Sequence, residues 1–301
     1  MNQIEQYLNC IFKDFEKYTD NAGGLCDLKG LSYKNSCIPD YRNIRVQQLY
    51  LLRYAYAYSY EYTEIYRQVL QRMGKRGELS VVSVGCGSMI DYWSLTRALA
   101  YANQSECVVN YVGIDAVEWN YRFPKRTQDS MIPYLHNNAI DCFEKNPRFV
   151  SDIYFFPKSI SEFSLQEIRR IADCFEKKQI EKDKFFICVS LRNSAEKRAY
   201  DMEKTRILTE AIERNGFSAN NEHRKYYFYS DNRGIAAFDK SYHYPEEIIQ
   251  RMSSLSEKCR NNRCKGSSCG YECCSNLNRR PILKTEQICY QIIPFERRVA
   301  A

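Results

Sequence analysis

The first quarter of the chain has the hydrophobic pattern of helices. Between residues 2 and 18, apolar residues recur three and four positions apart, as on one face of an amphipathic helix. After a connector that contains glycine and proline, residues 44–73 contain neither. Tyrosine recurs there at every fourth position, which predicts a stripe along one helix face. The stripe consists of Tyr50, Tyr54, Tyr58, Tyr62 and Tyr66.

The centre of this run also has the alternation of a strand. The segment YAYAYSYEY places tyrosine at every second position, and tyrosine favours strands. We predict a helix because the flanking segments have helical spacing and good helix formers, and because a strand of this length would be exceptional. The stripe is either a surface on which bases or aromatic ligands stack or a packing face with its hydroxyls at the rim. We favour packing, since aromatic stripes usually belong to the core.

From residue 79 onwards, short apolar runs alternate with helical segments. This alternation is typical of βαβ units and a mostly parallel sheet. The last apolar runs, YYFYS, IAAF and QICYQIIPF, have no long predicted helix between them, which indicates an antiparallel edge. The predicted fold class is therefore α/β, a Rossmann-like three-layer sandwich. Its predicted strands are 79–85, 108–115, 152–157 and 185–191, and its predicted helices are 89–103, 164–180 and 196–215.

A glycine turn follows the first of these strands. The strand leads directly into Gly85-Cys86-Gly87, and a helix begins just beyond. Gly85 permits the tight turn, Gly87 lets the backbone approach a ligand, and the helix N-terminus offers free N–H groups. The next strand ends in Asp115, which can accept hydrogen bonds from both ribose hydroxyls of an adenosine. Both features lie at the carboxyl ends of strands, where open α/β sheets bind their ligands.

In these segments the sequence resembles the class I S-adenosylmethionine-dependent methyltransferases. VSVGCGS resembles their first motif, YVGIDAVEW their second, and DIYFFPKSISEF their fourth, within residues 79–240. Two positions depart from the family, which usually has an acid in place of Ser83 and often a glycine in place of Met89. A nicotinamide-binding fingerprint is disfavoured, because Ile90 stands where its third glycine would be.

The resemblance implies that the cofactor is S-adenosylmethionine and assigns residues to it. The glycine turn would line the methionine end, and the acid after the second strand would hold the ribose. The acid of the segment NAID would contact the adenine, and an acid in the helix after the turn would replace the one missing at Ser83. The implied cofactor-binding residues are Gly85, Cys86, Gly87, Asp91, Asp115, Ala116 and Asp141.

The loop after DIYFFP faces the methyl acceptor in this family. It contains Lys158 and Ser159, which are candidate catalytic residues that would orient an acceptor; ordinary loop residues are the alternative. The loop lacks the Asn-Pro-Pro-Tyr signature of amino-base methylation, and no Pro-Cys pair indicates pyrimidine carbon methylation. The sequence therefore leaves the acceptor open.

A cysteine cluster lies between two late strands. Five of the 14 cysteines fall in the segment CRNNRCKGSSCGYECC. Thiolates in a short polar loop suit a tetrahedral zinc site that would order the segment. An iron–sulfur cluster is the alternative metal centre, and no metal at all is the third interpretation. The candidate metal ligands are Cys259, Cys264, Cys269, Cys273 and Cys274, with the last two competing for one position.

The net charge of +7 is concentrated in the same segment. Residues 251–280 carry seven basic and two acidic side chains, so the rest of the chain is nearly neutral. A local basic patch favours an anionic partner, and a metal-stapled basic loop could grip the phosphates of a nucleic acid. A solvated surface segment is the alternative.

These features divide the chain into an N-terminal helical cap, residues 1–78, and a methyltransferase-like domain, residues 79–301, with a basic cysteine-rich insertion at 251–280. No run approaches about 18 consecutive apolar residues and no signal peptide is recognisable, so we expect a cytoplasmic protein without membrane contact.

The leading hypothesis is an active methyltransferase with RNA or another nucleic acid as acceptor. The alternatives are a non-catalytic binding protein that uses the basic loop, and a small-molecule methyltransferase. A small acceptor would require the tyrosine helix to close over a confined pocket, whereas nucleic-acid binding would fall steeply with salt.

Overall fold

The N-terminal region folds into the two helices that the periodicity predicts. The computed structural model describes residues 3–20, 40–122, 134–232, 234–238, 244–261, 277 and 280–298. Helix α1 spans Gln3–Asp20 and helix α2 spans Ile44–Met73. The side chain of Asn43 caps α2 by accepting from the Arg45 N–H, and Gly74 ends the helix with φ 73°. The tyrosine-rich run is therefore a helix, as its flanks indicated.

A mostly parallel sheet forms the centre of the molecule. Its strands lie side by side in the order β3-β2-β1-β5-β7-β10-β8, and β9 also pairs with β10. The pairs from β3 to β7 are parallel, whereas β10 runs antiparallel to its neighbours. The strands are β1 (Glu78–Val84), β2 (Val108–Asp115), β3 (Tyr134–His136), β5 (Ile153–Phe156), β7 (Lys184–Ser190), β8 (Phe217–Ser218), β9 (Tyr227–Phe228) and β10 (Cys289–Arg297), with β4 (Arg148–Phe149) and β6 (Gln179–Ile180) forming a separate pair.

Helices cover both faces of this sheet. Side chains of a strand alternate between faces, so Phe155 packs on the α1–α2 side and Tyr154 and Phe156 on the other. Helices α3 and α8 lie on the first side, and α4, α5 and α6 lie on the second. The three-layer α/β fold is thus confirmed. The remaining helices are α3 (Ile90–Tyr101), α4 (Ala139–Lys145), α5 (Leu165–Lys177), α6 (Ala195–Arg214), α7 (Tyr229–Asn232) and α8 (Glu246–Asn261).

The structure differs from the pattern-based prediction mainly near the C-terminus. The run IAAF forms a single bridge, between Ala237 and Lys284, and YYFYS is a two-residue strand that continues into α7. Helix α8 was not predicted, although it includes the first part of the 251–280 segment. Charged and serine residues interrupt its apolar positions, so the helical spacing of apolar residues is hard to recognise in the sequence.

Helix α2 belongs to one layer of the sandwich. Its buried residues share one hydrophobic cluster with α3 and with β1. The boundary predicted after residue 78 stays a prediction, but it separates α2 from the sheet that α2 covers. Among the described residues, no helix combines the length and the apolar character that crossing a membrane requires.

Candidate functional site

The turn after β1 needs glycine at two positions. Gly85 has φ 68° and Gly87 has φ 55°, in the region that side chains disfavour. A Cβ on Gly85 would overlap with the Cβ of Ser159. The Gly85 N–H donates to the carbonyl of Ile114 at 2.7 Å, and the Cys86 N–H donates to the same oxygen at 3.1 Å. Two hydrogen bonds therefore hold the turn against the end of β2, and position 85 has no room for a side chain.

Met89 has a backbone conformation that glycine usually adopts. Its φ of 62° is left-handed, and it precedes α3 without a capping hydrogen bond from its side chain. This is one of the two positions at which the sequence departs from the resembled family. The left-handed backbone at Met89 has a conformational cost of about 1 kcal/mol for a non-glycine residue.

Asp115 joins the two strand ends through its carboxylate. Its Oδ2 accepts from the Gly87 N–H at 2.7 Å, and its Oδ1 accepts from the Val117 N–H at 2.8 Å. Burial raises the pKa of Asp115, while these two N–H groups lower it. Each oxygen accepts one backbone bond, and a carboxylate has about four acceptor sites in total. The carboxylate can therefore accept further hydrogen bonds from a ligand.

A pocket opens at these strand ends. It lies where the sheet order reverses, with β2 on one side of β1 and β5 on the other, which is the usual ligand position in such sheets. The space between its lining residues, part of it open to solvent, is about 570 Å³. Its lining residues are Tyr41, Tyr50, Tyr58, Tyr62, Gly85, Cys86, Gly87, Ser88, Ile90, Asp115, Val117, Trp119, Pro157, Lys158, Ser159 and Glu162.

The strand order decides the fold. Parallel strands β3-β2-β1-β5-β7 are followed by the antiparallel β10, which is inserted between β7 and β8. The chain has the class I methyltransferase fold. In this fold the glycine turn after β1 and the acid after β2 lie side by side, as they do here.

Comparisons with known proteins found similarity to solved structures alone. No family model matches the sequence, and no curated protein matches it. A complex of the plantazolicin methyltransferase BpumL with SAH is similar at 13% identity and a TM-score of 0.43, over 96% of this chain and 100% of that one. A SAM-dependent methyltransferase from Archaeoglobus fulgidus has 13% identity and a TM-score of 0.37, over 78% and 94%. The mycolic acid cyclopropane synthase CmaA1 has 11% identity and a TM-score of 0.36, over 78% and 88%. We assign the fold from the strand order and not from these similarities.

Asp91 lies in the interior of the methyltransferase fold and does not line the pocket. It is fully buried and accepts hydrogen bonds from the hydroxyls of Tyr111, at 2.9 Å, and Tyr66, at 3.4 Å. Burial raises the pKa of Asp91 to about 6. The structure therefore places it between α2, α3 and β2, apart from the pocket lining.

The other implied cofactor residues differ in position. Cys86 is a lining residue of the pocket, and its thiol packs closely on Gly113, whose added Cβ would lie 2.8 Å from the sulfur. Burial raises the pKa of Cys86 far above its usual value. Ala116 is exposed next to Asp115, and Asp141 lies in the first turn of α4; neither lines the pocket.

The tyrosine stripe of α2 runs from the pocket into the core. Tyr50 and Tyr58 are half-buried and line the pocket, and the Tyr50 ring lies 5.7 Å from the Trp119 ring. Tyr62 and Tyr66 are buried, and each packs edge-on against Phe155. Packing thus describes the inner end of the stripe, whereas its outer end forms one wall of the pocket.

Lys158 enters the pocket from the loop after β5. Its φ is 59°, and its ammonium lies 3.1 Å from Oε2 of Glu61 on α2. The ammonium also donates to the carbonyl of Leu191 at 2.5 Å. Glu61 is 1% exposed and accepts from the hydroxyl of Ser190 at the end of β7. Three segments far apart in the sequence therefore meet at one ion pair.

Ser159, the second candidate catalytic residue, is buried at the floor of the pocket. Its hydroxyl donates to the carbonyl of Val84. This bond ties the loop after β5 to the end of β1 and commits the hydroxyl proton to the backbone. The structure thus gives Ser159 a visible role in shaping the turn, and its catalytic role stays a prediction.

The predicted metal ligands lie mostly outside the described residues. Helix α8 contains the backbone of Cys259, but its side chain and the other four cysteines are not among them. Within the described part of the chain, no three metal-binding side chains cluster. Of the basic segment, Arg251 forms ion pairs at 2.8 Å with both Glu16 and Glu247. The described residues thus support neither a metal centre nor a nucleic-acid surface.

Sequence reasoning missed several residues of this pocket. Trp119 follows Asp115 by four positions within the second motif, so its closeness to the acid was a usable signal. Glu61 is the single acid within YAYAYSYEY, and an acid on an aromatic helix face indicates a buried partner. Tyr41 stands in a polar connector that carries no such signal.

Proposed function

We propose that this chain is an S-adenosylmethionine-dependent methyltransferase. The observation that carries the proposal is the Asp115 carboxylate, which faces a pocket beside a turn that admits no side chain at Gly85. Two ribose hydroxyls are donors that match the acceptor capacity this carboxylate keeps beside the N–H groups of Gly87, Val117 and the Trp119 side chain. The residues present therefore fit the adenosine part of the cofactor.

When it is bound, S-adenosylmethionine supplies a methyl group carried on a sulfonium sulfur. The residues of the chain bind and orient the cofactor and the acceptor, because an in-line displacement depends mainly on the relative position of the reacting atoms. Asp115 and the glycine turn would hold the cofactor, with Gly85, Cys86 and Gly87 along its methionine end. The aromatic wall of α2 and Lys158 would face the acceptor.

The pocket wall favours a small or slender acceptor. Tyr50, Tyr58 and Tyr62 of α2 lie across the pocket from the glycine turn, among the described residues. A nucleic-acid surface lacks support, since the described Arg251 is engaged with two carboxylates. The zinc or iron–sulfur site at the five cysteines stays a separate prediction.

Calorimetric titration with S-adenosylmethionine tests the cofactor proposal. Wild-type protein should bind in the micromolar range, and Asp115→Ala should weaken binding at least tenfold, because hydrogen bonds to a charged group contribute about 1.5–3 kcal/mol. The matched control is Asp183→Ala, since Asp183 is an exposed aspartate paired with Arg297. Absence of binding to folded wild-type protein, or equal affinity of both variants, would contradict the proposal.

A transfer assay tests the acceptor. Tritiated methyl transfer to a collection of small hydroxyl, carboxyl and amine compounds is compared with transfer to total RNA at two salt concentrations. We expect transfer to members of the small-molecule set. Transfer to RNA alone would reverse the inference from the α2 wall, and cofactor binding without any transfer would favour the non-catalytic binding protein.

A further inference from the structure

A buried ion pair lies on the acceptor side of the pocket. It joins Glu61 of α2 to Lys158 after β5, and Ser190 of β7 donates to the same carboxylate. The side chain of Glu61 is 1% exposed and that of Lys158 is 12% exposed. Neither the glycine turn nor Asp115 touches this network, so it is separate from the features that identify the cofactor side.

Two unfavourable features coincide at Lys158. A non-glycine residue with φ 59° has a strained backbone. Its ammonium also loses water on burial, and a buried ion pair gains little net stability over apolar side chains of the same volume. Strain and burial of charge at one pocket residue indicate a functional reason for its position.

The hydrogen bonds of the ammonium leave one donor over. A lysine ammonium has three N–H groups and no lone pair. Oε2 of Glu61 and the carbonyl of Leu191 take two of them. Among the described residues the ammonium has no third hydrogen-bond partner; its further contact is with the ring of Tyr58, also a pocket residue, whose centroid lies 5.5 Å from Nζ. The third N–H is therefore available to a pocket ligand.

We propose that Glu61 is a positioning residue that holds Lys158 as an ammonium, with one N–H presented to an oxygen atom of the methyl acceptor. An ammonium cannot take a proton, so Lys158 orients the acceptor by donating and does not serve as a general base. Glu61 acts only through Lys158. The inference rests on the proposed function for the identity of the pocket, but not for the state of the lysine.

Pulse acetylation of the full chain tests this state. Protein at pH 7 to 10 is exposed briefly to acetic anhydride, and the modification of Lys158 is measured by peptide mass spectrometry. Acetic anhydride reacts with a free amine, so removing the carboxylate that contacts the Lys158 ammonium should speed the reaction. We expect Glu61→Gln to increase the rate at pH 8 about tenfold, and the rate in Glu61→Asp to lie between those of Glu61→Gln and wild type.

The chain offers two controls for this experiment. Glu64→Gln changes a buried acid of the same helix that pairs with Arg67, and it should leave the Lys158 rate within about twofold. Lys204 is buried and donates to the carbonyls of Ile160 and Ser161, so its acetylation reports general opening. Its rate should not change in Glu61→Gln.

Each outcome decides the inference. An unchanged rate of Lys158 acetylation in Glu61→Gln, or an equal rise at Lys204, would overturn the inference. Titration with S-adenosylhomocysteine separates the two proposals: Glu61→Gln should bind it as wild type does, and loss of binding would assign the pair to the cofactor side and overturn the inference. If wild-type protein does not bind S-adenosylhomocysteine, the proposed function is contradicted. The acetylation result at Lys158 does not depend on that binding.

Discussion

The two sides of the pocket are built differently. The proposed cofactor side consists of backbone: positive φ angles at Gly85 and Gly87, and N–H groups that bind the Asp115 carboxylate. The proposed acceptor side consists of side chains, namely the rings of α2 and the Glu61–Lys158 ion pair. The first side depends on what a turn allows, and the second on how distant segments pack. A substitution should therefore act by backbone strain on one side and by lost packing on the other.

The largest effect should come from the packed end of the tyrosine stripe. Tyr66 is fully buried against Phe155, so Tyr66→Ala should lower the free energy of unfolding by about 4 kcal/mol. Tyr54 is half-buried and stacks on Tyr58 at 5.3 Å, so Tyr54→Ala should cost about 1 kcal/mol. Urea unfolding of both variants measures this difference. Equal losses of unfolding free energy would contradict the difference in packing between the two ends of the tyrosine stripe.

Backbone strain on the cofactor side should have the next largest effect. Gly85→Ala adds a Cβ that overlaps Ser159 at φ 68°, so it should cost about 3 kcal/mol and abolish cofactor binding. Gly77 has open space around it and no positive φ, which makes Gly77→Ala the matched control with an effect within about 0.5 kcal/mol. The same unfolding experiment checks both. A Gly85→Ala protein as stable as Gly77→Ala would show that the turn has room for a side chain at position 85.

A smaller, pH-dependent effect should come from Asp91, which lies in the core, apart from the pocket lining. Its folded-state pKa of about 6 is raised from 3.8 by burial. The folded state thus binds more protons than the unfolded state between these values, and stability falls as pH rises through 6. From pH 5 to pH 7 the loss should be about 1.4 kcal/mol.

The comparison with Asp91→Asn isolates this contribution. The asparagine side chain would keep an oxygen for the hydroxyls of Tyr111 and Tyr66 but would not titrate. The free energy of unfolding should fall more between pH 5 and pH 7 for wild type than for Asp91→Asn. A parallel dependence in both proteins would show that Asp91 does not carry the buried charge.

The same contrast explains what the sequence could predict. Turn glycines and a strand-terminal acid act within short segments, so VVSVGCGS and YVGIDAVEW were sufficient to locate one side of the pocket. Helix α2 could be predicted because its flanking segments have helical spacing and good helix formers. The ion pair joins positions 61, 158 and 190, and no local pattern records such a contact.

Two other features escaped prediction for physical reasons. Strand β3 has only three residues, too few for a period to show. Asp91 was expected near the cofactor because an acid was missing at Ser83, but two tyrosine hydroxyls hold it in the core. Tertiary hydrogen bonding of this kind is invisible in a single sequence.

Calorimetric titration with S-adenosylhomocysteine tests the division of the pocket most directly. The proteins are wild type, Asp115→Asn, and the double variant Glu61→Gln/Lys158→Met, which removes both partners so that no buried charge is left unpaired. We predict that Asp115→Asn weakens binding at least tenfold, about 1.4 kcal/mol, and that the double variant binds within about threefold of wild type. Loss of binding in the double variant with retention in Asp115→Asn would contradict the account.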